Sequence, residues 1–123
     1  MAIRVLVVDD DPSFRVAVTT LLQDRGFVVA GYAADQHEAL ASLSRCGPDA
    51  ILLDVFLDRD DGLETLRVLR QTGWTGPVLL TSSNAQAVSD SLAVELGAAG
   101  FIPKEDLVAA QLSEYLRRGA GGS

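Results

Sequence analysis

Short apolar runs alternate with longer amphipathic stretches along the chain, and this alternation constrains the fold more than any other feature. Five runs are rich in Val, Ile, Leu or aromatic residues, and each is followed by a stretch that is helical in character. Alternating strands and helices are typical of a parallel sheet with helical crossovers. Five such units are too few for the eight-fold closed barrel. We therefore predict an α/β fold, an open doubly wound sheet with helices on both faces.

Capping residues mark the starts of the predicted helices. Asp11 precedes Pro12 at the start of the first helix, which Gly26 ends. Asp35, with Glu38 three residues later, predicts the start of the second helix. The fourth helix is predicted at about 84–96 and the last at about 105–118.

Length and composition predict one soluble domain. The 123 residues suffice for a single domain, which we predict over residues 1–118, with Gly119–Ser123 as a flexible tail or the start of a linker. A formal net charge of -7 argues against direct nucleic-acid binding. Cys46 is the single cysteine, so no intramolecular disulfide can form, which is consistent with the predicted location in a reducing cytoplasm. No apolar run approaches the length of a membrane span, so no membrane association is predicted.

Polar side chains follow four of the five apolar runs, each at the point where the run ends. They are Asp9 and Asp10, Asp54, Thr81 and Lys104. Because the carboxyl ends of parallel strands open on the same edge of a sheet, we expect these side chains to share one crevice. Three carboxylates that lie together repel one another unless a cation lies among them. The pattern therefore predicts a divalent metal beside an anionic group, and phosphate chemistry is the leading interpretation.

Each of these residues also has a purely structural interpretation when taken alone. Asp9 to Asp11 can serve as a helix cap, Thr81 as a turn residue and Lys104 as a solvated strand-end cation. Asp54 is harder to explain in this way, because an ionised carboxylate beside buried strand residues needs a partner. The placement of all of them at one end of four strands favours the functional interpretation.

The motifs around these residues are similar to those of the receiver domain of two-component response regulators, up to about residue 118. The matching segments are Val7-Val8-Asp9-Asp10, Leu53-Asp54, Asp61-Gly62, Leu80-Thr81-Ser82 and Gly97-Ala98-Ala99-Gly100-Phe101-Ile102-Pro103-Lys104. The resemblance implies a flavodoxin-like (βα)5 fold with strand order 2-1-3-4-5. It also implies a signalling switch that catalyses only its own phosphorylation and dephosphorylation, and is not otherwise an enzyme.

The resemblance implies a role for each residue of the crevice. Asp54 would be the phosphoacceptor, taking a phosphoryl group from a phosphohistidine of a sensor histidine kinase or a phosphotransfer protein. Lys104 would contact a phosphate oxygen. The implied Mg2+ ligands are Asp10, Asp9 through a water molecule, Asp54 and the backbone carbonyl of Phe56.

The same resemblance implies a readout of the phosphorylated state. The Thr81 hydroxyl would bind the phosphoryl group, and Phe101, at the aromatic switch position, would rotate into the space that Thr81 vacates. Taken alone, Phe101 is explained equally well as a plain core aromatic. The small side chain of Ser82 would leave room for the phosphoryl group. Phe56 and Ser83 would flank it, and a bulky Phe56 predicts slow dephosphorylation. The output would be a population shift of the fourth helix, fifth strand and fifth helix.

Departures from the family pattern carry further expectations. Glu105 follows Lys104 where a proline is common, so we expect a trans peptide bond there, since a non-proline cis bond costs about 3 kcal/mol. The segment Lys104-Glu105-Asp106-Leu107 resembles the corresponding segment of regulators with a LuxR-type helix-turn-helix output domain. Such an output domain would bind DNA from outside this chain. Phosphorylation is expected to allow homodimerisation.

Three alternatives stay open at this stage. A degenerate receiver would bind proteins without being phosphorylated. A small phosphatase of the haloacid dehalogenase type also uses an Asp nucleophile, Mg2+, Thr and Lys, but its nucleophile follows the first strand. A flavodoxin-like cofactor binder would need a loop rich in Ser, Thr and Gly where this chain has acids.

Overall fold

Five parallel strands form a single sheet in the order β2-β1-β3-β4-β5, which confirms the predicted α/β fold and strand order. The computed structural model describes residues 2–117. The strands are β1 (Arg4–Val8), β2 (Val28–Ala33), β3 (Ala50–Asp54), β4 (Val78–Ser82) and β5 (Gly100–Pro103). The helices are α1 (Pro12–Asp24), α2 (Gln36–Cys46), α3 (Gly62–Gln71), α4 (Asp90–Glu95), a 3-10 helix (Lys104–Ala109) and α5 (Leu112–Leu116).

The sheet separates two core layers. Every residue of β3 is buried, as expected for a central parallel strand covered on both faces. Successive residues of a strand point to opposite faces, so each central strand contributes to both layers. One layer includes Leu6, Leu53, Ala39, Leu66 and Ala93, and so involves α2, α3 and α4. The other includes Val7, Leu52, Leu22 and Leu116, and so involves α1 and α5.

The predicted caps of α1 and α2 are present. The Asp11 carboxylate accepts a hydrogen bond from the Ser13 backbone N–H, and Asp35 accepts one from Glu38 at 2.8 Å. The Glu38 carboxylate in turn accepts a hydrogen bond from the Ala34 backbone N–H at 2.7 Å. These contacts satisfy backbone donors that have no partner within the helix.

The fourth helix is shorter than predicted. It covers only Asp90–Glu95, whereas residues 83–89 form turns and bends. The Asn84 backbone N–H donates to the Ser82 hydroxyl, and the Asn84 side chain accepts from the Gln86 backbone N–H. Such local side-chain hydrogen bonds compete with helix formation and explain the late start of α4.

The last helix is also divided, although one continuous helix was predicted. A 3-10 helix over Lys104–Ala109 precedes a short α5 that begins at Leu112. The Arg25 guanidinium donates to the carbonyls of Val108 and Ala110, which a continuous helix would use internally. The Lys104–Glu105 peptide bond is trans, as predicted.

The predicted helix end at 118 and the predicted tail at 119–123 lie outside the described residues. Within residues 2–117, no helix combines the length and the apolar composition needed to cross a bilayer.

Candidate functional site

The carboxyl edge of the sheet brings the predicted polar residues together. Asp9 and Asp10 follow β1, Lys104 follows β5, and Asp54 and Thr81 are register partners at the ends of β3 and β4. Carboxylate oxygens of Asp9, Asp10 and Asp54 all lie within 4.8 Å of one another. The crevice predicted from the strand ends is therefore present.

Backbone hydrogen bonds hold Asp9 in place. Its side chain is buried, and its backbone N–H donates to the Ala33 carbonyl at 2.9 Å. Its carboxylate accepts a hydrogen bond from the Asp11 backbone N–H at 2.8 Å. The Arg15 side chain donates to the Asp9 carbonyl at 2.6 Å, which ties α1 to the end of β1. The Asp9 carboxylate therefore has little freedom to turn away from the crevice.

Asp54 is a buried carboxylate whose charge is only partly compensated. It is 6% exposed, and it accepts a hydrogen bond from the Phe56 backbone N–H at 3.0 Å. Burial raises the pKa of Asp54, and the negative charge of Asp9 raises it further. The Phe56 N–H and the Lys104 ammonium lower the pKa, but the net shift is upward. Additional positive charge at the site would thus stabilise the ionised form.

Lys104 bridges two of the three carboxylates. Its ammonium lies 2.8 Å from the Asp9 carboxylate and 3.1 Å from the Asp54 carboxylate, and 4.2 Å from the centre of the Phe14 ring. Burial lowers the pKa of Lys104, but its contacts with Asp9 and then Asp54 raise it, and together they prevail. Lys104 is therefore a cation at neutral pH.

The residues present fit a magnesium ion. Three carboxylate side chains converge, Asp54 carries incompletely compensated charge, and the one ammonium is already shared between two of them. Mg2+ takes few protein carboxylates and keeps several water molecules, so this small all-oxygen set suits it.

The predicted readout residues occupy β4 and β5. The Thr81 side chain is fully buried, and its hydroxyl donates to the Ile102 carbonyl at 2.7 Å. Phe101 is only 7% exposed and packs in the core layer that includes Val88, Ala93 and Ala98. The predicted rotation of Phe101 thus has no outward starting position here, because the ring is already inside. Its role as a switch stays a prediction.

The remaining flanking residues differ in their exposure. Ser82 is buried, and its hydroxyl accepts a hydrogen bond from the Asn84 backbone N–H. Ser83 is exposed. The Phe56 side chain is 57% exposed, one of the most exposed large apolar residues that the structure describes.

Arg15 and Phe14 support the site, although neither role was predicted from the sequence. Both lie one helical turn after the Asp11 cap, so they face back toward the ends of β1 and β5. Their spacing of three and four residues from the Asp11 cap could have predicted this position, because the first turn of a helix lies over the end of the preceding strand.

Comparison with known proteins places this geometry among receiver domains. Residues 5–116 match the family model described as the response regulator receiver domain. The response regulator MprA of Mycolicibacterium vanbaalenii is 39% identical over 133 aligned residues, which cover 100% of this chain and 56% of that protein. The chain thus spans about half the length of such curated relatives.

Two of the solved structures of similar shape are response regulators with more than 25% sequence identity to this chain. A two-component response regulator of the LuxR family from Aurantimonas sp. is 27% identical with a TM-score of 0.78, covering 99% of this chain and 91% of that one. The BeF3-activated receiver domain of Klebsiella pneumoniae RstA is 28% identical with a TM-score of 0.76, covering 93% of this chain and 98% of that one.

Proposed function

Because the chain belongs to the family of response regulator receiver domains, modules of phosphorylation-dependent two-component signalling, we propose that Asp54 is its phosphoacceptor. The observation that carries the proposal is the convergence of Asp54 with Asp9, Asp10 and Lys104 at one edge of the sheet. Asp54 is the carboxylate at the end of β3, the buried central strand.

The proposed step transfers one phosphoryl group. An Asp54 carboxylate oxygen attacks the phosphorus of a phosphohistidine, and a new P–O bond forms as the P–N bond breaks. The electron pair of that bond leaves with the imidazole nitrogen, which takes up a proton. The product is an acyl phosphate on Asp54 and a free histidine on the donor. The Phe56 N–H orients the carboxylate by holding one of its two oxygens.

Asp10, Asp9 through a water molecule, Asp54 and the Phe56 carbonyl would hold the Mg2+ ion. When bound, the ion offsets the repulsion between the anionic nucleophile and the anionic phosphoryl group. The residues themselves fix the geometry: the hydrogen bonds from Asp11 and Arg15 keep the Asp9 end of the site in place. Lys104 supplies a second positive charge that reaches a phosphoryl oxygen from the β5 side.

Thr81 and Phe101 would then report the phosphorylated state. Thr81 is the register partner of Asp54, so a phosphoryl group there lies within reach of its hydroxyl. Thr81 would exchange its hydrogen bond to the Ile102 carbonyl for one to the phosphoryl group. The buried Phe101 ring belongs to the core layer that also includes Leu80 of β4 and Ala93 of α4, and it would transmit the change.

The partner of this step would be a sensor histidine kinase or a phosphotransfer protein in the cytoplasm. We further propose that residues 1–118 are the receiver unit and 119–123 a tail or linker start. An output domain of the LuxR helix-turn-helix type would bind DNA from outside this chain, and phosphorylated copies would form homodimers. A regulator of the LuxR family among the structures of similar shape supports this choice of output.

Intact mass after incubation with acetyl phosphate and Mg2+ tests the proposal. The wild-type protein should gain one phosphoryl group, and Asp54→Asn should gain none. Asp58→Asn is the matched control, because Asp58 is an exposed carboxylate four residues away in the same loop region. An adduct on Asp54→Asn, or none on the wild type even with a histidine phosphodonor, would overturn the proposal and favour a phosphorylation-independent binding module.

A further inference from the structure

β5 lies at the edge of the sheet and pairs only with β4, so backbone groups on its outer side have no strand partner. One of these groups is bound from α4. The Asp90 carboxylate accepts a hydrogen bond from the Phe101 backbone N–H at 3.0 Å. We call this hydrogen bond the outer tie. It fixes the residue at the predicted switch position to the first turn of α4.

The outer tie depends on a glycine. A Cβ added to Gly100 would lie 2.7 Å from the Asp90 carboxylate oxygen and 2.7 Å from a ring carbon of Tyr115. Both distances are shorter than a Cβ contact allows, so any side chain at residue 100 would displace both neighbours. The absence of a side chain there lets Asp90 approach the strand.

A second hydrogen bond holds the adjacent residue from the opposite side. The Thr81 hydroxyl donates to the Ile102 carbonyl at 2.7 Å, so neighbouring residues of β5 are bound by α4 on one side and by β4 on the other. In the proposed function, phosphorylation of Asp54 removes the Thr81 bond. The outer tie joins α4 to β5 without involving Thr81, so loss of the Thr81 bond alone would leave it in place.

We propose that Asp90 is a positioning residue that holds β5 and Phe101 in the unphosphorylated arrangement, and that activation must break the outer tie. This inference rests on the proposed function. In this proposal, the N-terminal end of α4, which carries Asp90, is the end that moves on activation. That end follows the irregular segment 83–89, whereas the Arg70 guanidinium binds the Gly97 carbonyl just beyond the other end at 2.9 Å.

The first arm of the test measures amide hydrogen exchange at Phe101 by NMR without metal. Asp90→Ala removes the acceptor, so exchange at Phe101 should accelerate by about tenfold or more relative to the wild type. Asp90→Asn keeps an acceptor oxygen and should restore most of the protection. Glu95→Ala is the control, because it removes an exposed carboxylate from the same helix. Gly100→Ala should resemble Asp90→Ala.

The second arm measures the affinity for beryllofluoride, a phosphoryl analogue, in the presence of Mg2+. If the outer tie stabilises only the unphosphorylated arrangement, Asp90→Ala should bind beryllofluoride about three- to tenfold more tightly. Asp90→Asn and Glu95→Ala should stay near the wild type. A merely structural role would weaken binding in Asp90→Ala, and this result would overturn the inference, as would unchanged affinity.

The two arms separate the failure of this inference from the failure of the proposed function. Unchanged exchange at Phe101 in Asp90→Ala overturns the outer tie, whatever the phosphorylation result. Failure of the wild-type protein to bind beryllofluoride overturns the proposed function and, with it, the claim that activation breaks the tie. Faster exchange in that case still supports Asp90 as the residue that positions β5.

Discussion

Gly62 offers the sharpest test of how the fold positions Asp54. It is the first residue of α3, and its backbone N–H donates to the Val55 carbonyl at 2.7 Å. A Cβ added there would lie 2.1 Å from the Asp54 carbonyl oxygen and 2.7 Å from the Val55 Cα. Both contacts are with backbone atoms at the end of β3, so no change of rotamer can relieve them. We predict that Gly62→Ala is strongly destabilising.

The severity of the clash determines how much stability Gly62→Ala should lose. The contact with the Asp54 carbonyl falls about 1.3 Å short of the 3.4 Å at which ordinary contact begins, so α3 must move away from β3. Overpacking of this kind costs about 1–3 kcal/mol. Loss of the hydrogen bond to Val55 adds roughly 1 kcal/mol, and the better helix propensity of alanine returns up to about 1 kcal/mol. The last two contributions nearly cancel, so we expect a net loss of about 1–3 kcal/mol in the free energy of unfolding.

Urea unfolding followed by the fluorescence of Trp74 measures this loss. Gly47→Ala is the control, because Gly47 has φ of 57° but no atom within 4 Å of the added Cβ, so only about 1–2 kcal/mol of backbone strain is expected. Since the clash involves the backbone of Asp54, Gly62→Ala should also slow phosphorylation by acetyl phosphate by about 10- to 100-fold. Gly47→Ala should not slow it. Wild-type stability and a wild-type rate in Gly62→Ala would refute the reasoning.

Three further predictions concern the site. Mg2+ at ten times its Kd should raise the free energy of unfolding by about 1.4 kcal/mol. Asp10→Asn should lose most of this increase, whereas the control Glu95→Gln should keep it. An equal increase in Asp10→Asn would contradict the assignment of Asp10 as a ligand. Because the folded state raises the pKa of Asp54, ionisation of this group costs stability as the pH rises above its unfolded value of 3.8. Without metal, Asp54→Asn should therefore be more stable than the wild type at pH 7, and this difference in stability should shrink as the pH falls toward 3.8. Urea titrations at several pH values would contradict this prediction if they showed the opposite trend. Phe56→Ala should shorten the lifetime of the acyl phosphate by about threefold or more if the exposed ring limits access of water, and a wild-type half-life of seconds would already contradict this shielding role.

The sequence predicted the fold and the crevice because both depend on short-range patterns. The alternation of apolar runs and capped helices specifies parallel strands, and parallel strands bring their ends to one edge. Asp9, Asp10, Asp54 and Lys104 therefore had to meet once the fold was right. The family match over residues 5–116 confirms the resemblance that the motifs indicated.

The last helix was predicted as one continuous helix, and its division depends on contacts between residues distant in sequence. Arg25 ends the 3-10 helix by binding carbonyls more than 80 residues away, and no local pattern shows this. The late start of α4 is a local effect, but it arises from competition by Asn84 and Ser82 within a stretch of acceptable helix formers.

The position of Lys104 has a consequence for how the domain would sense ions. The ammonium already compensates part of the negative charge of Asp9 and Asp54. An incoming divalent cation therefore meets a weaker net negative charge than the three carboxylates alone would present. Replacing Lys104 by an uncharged residue should thus raise the affinity of the site for Mg2+, and it should also remove the contact of Lys104 with the phosphoryl group. Affinity for the metal and competence as a switch would then change in opposite directions, so a strong metal response is a poor measure of signalling ability in this protein.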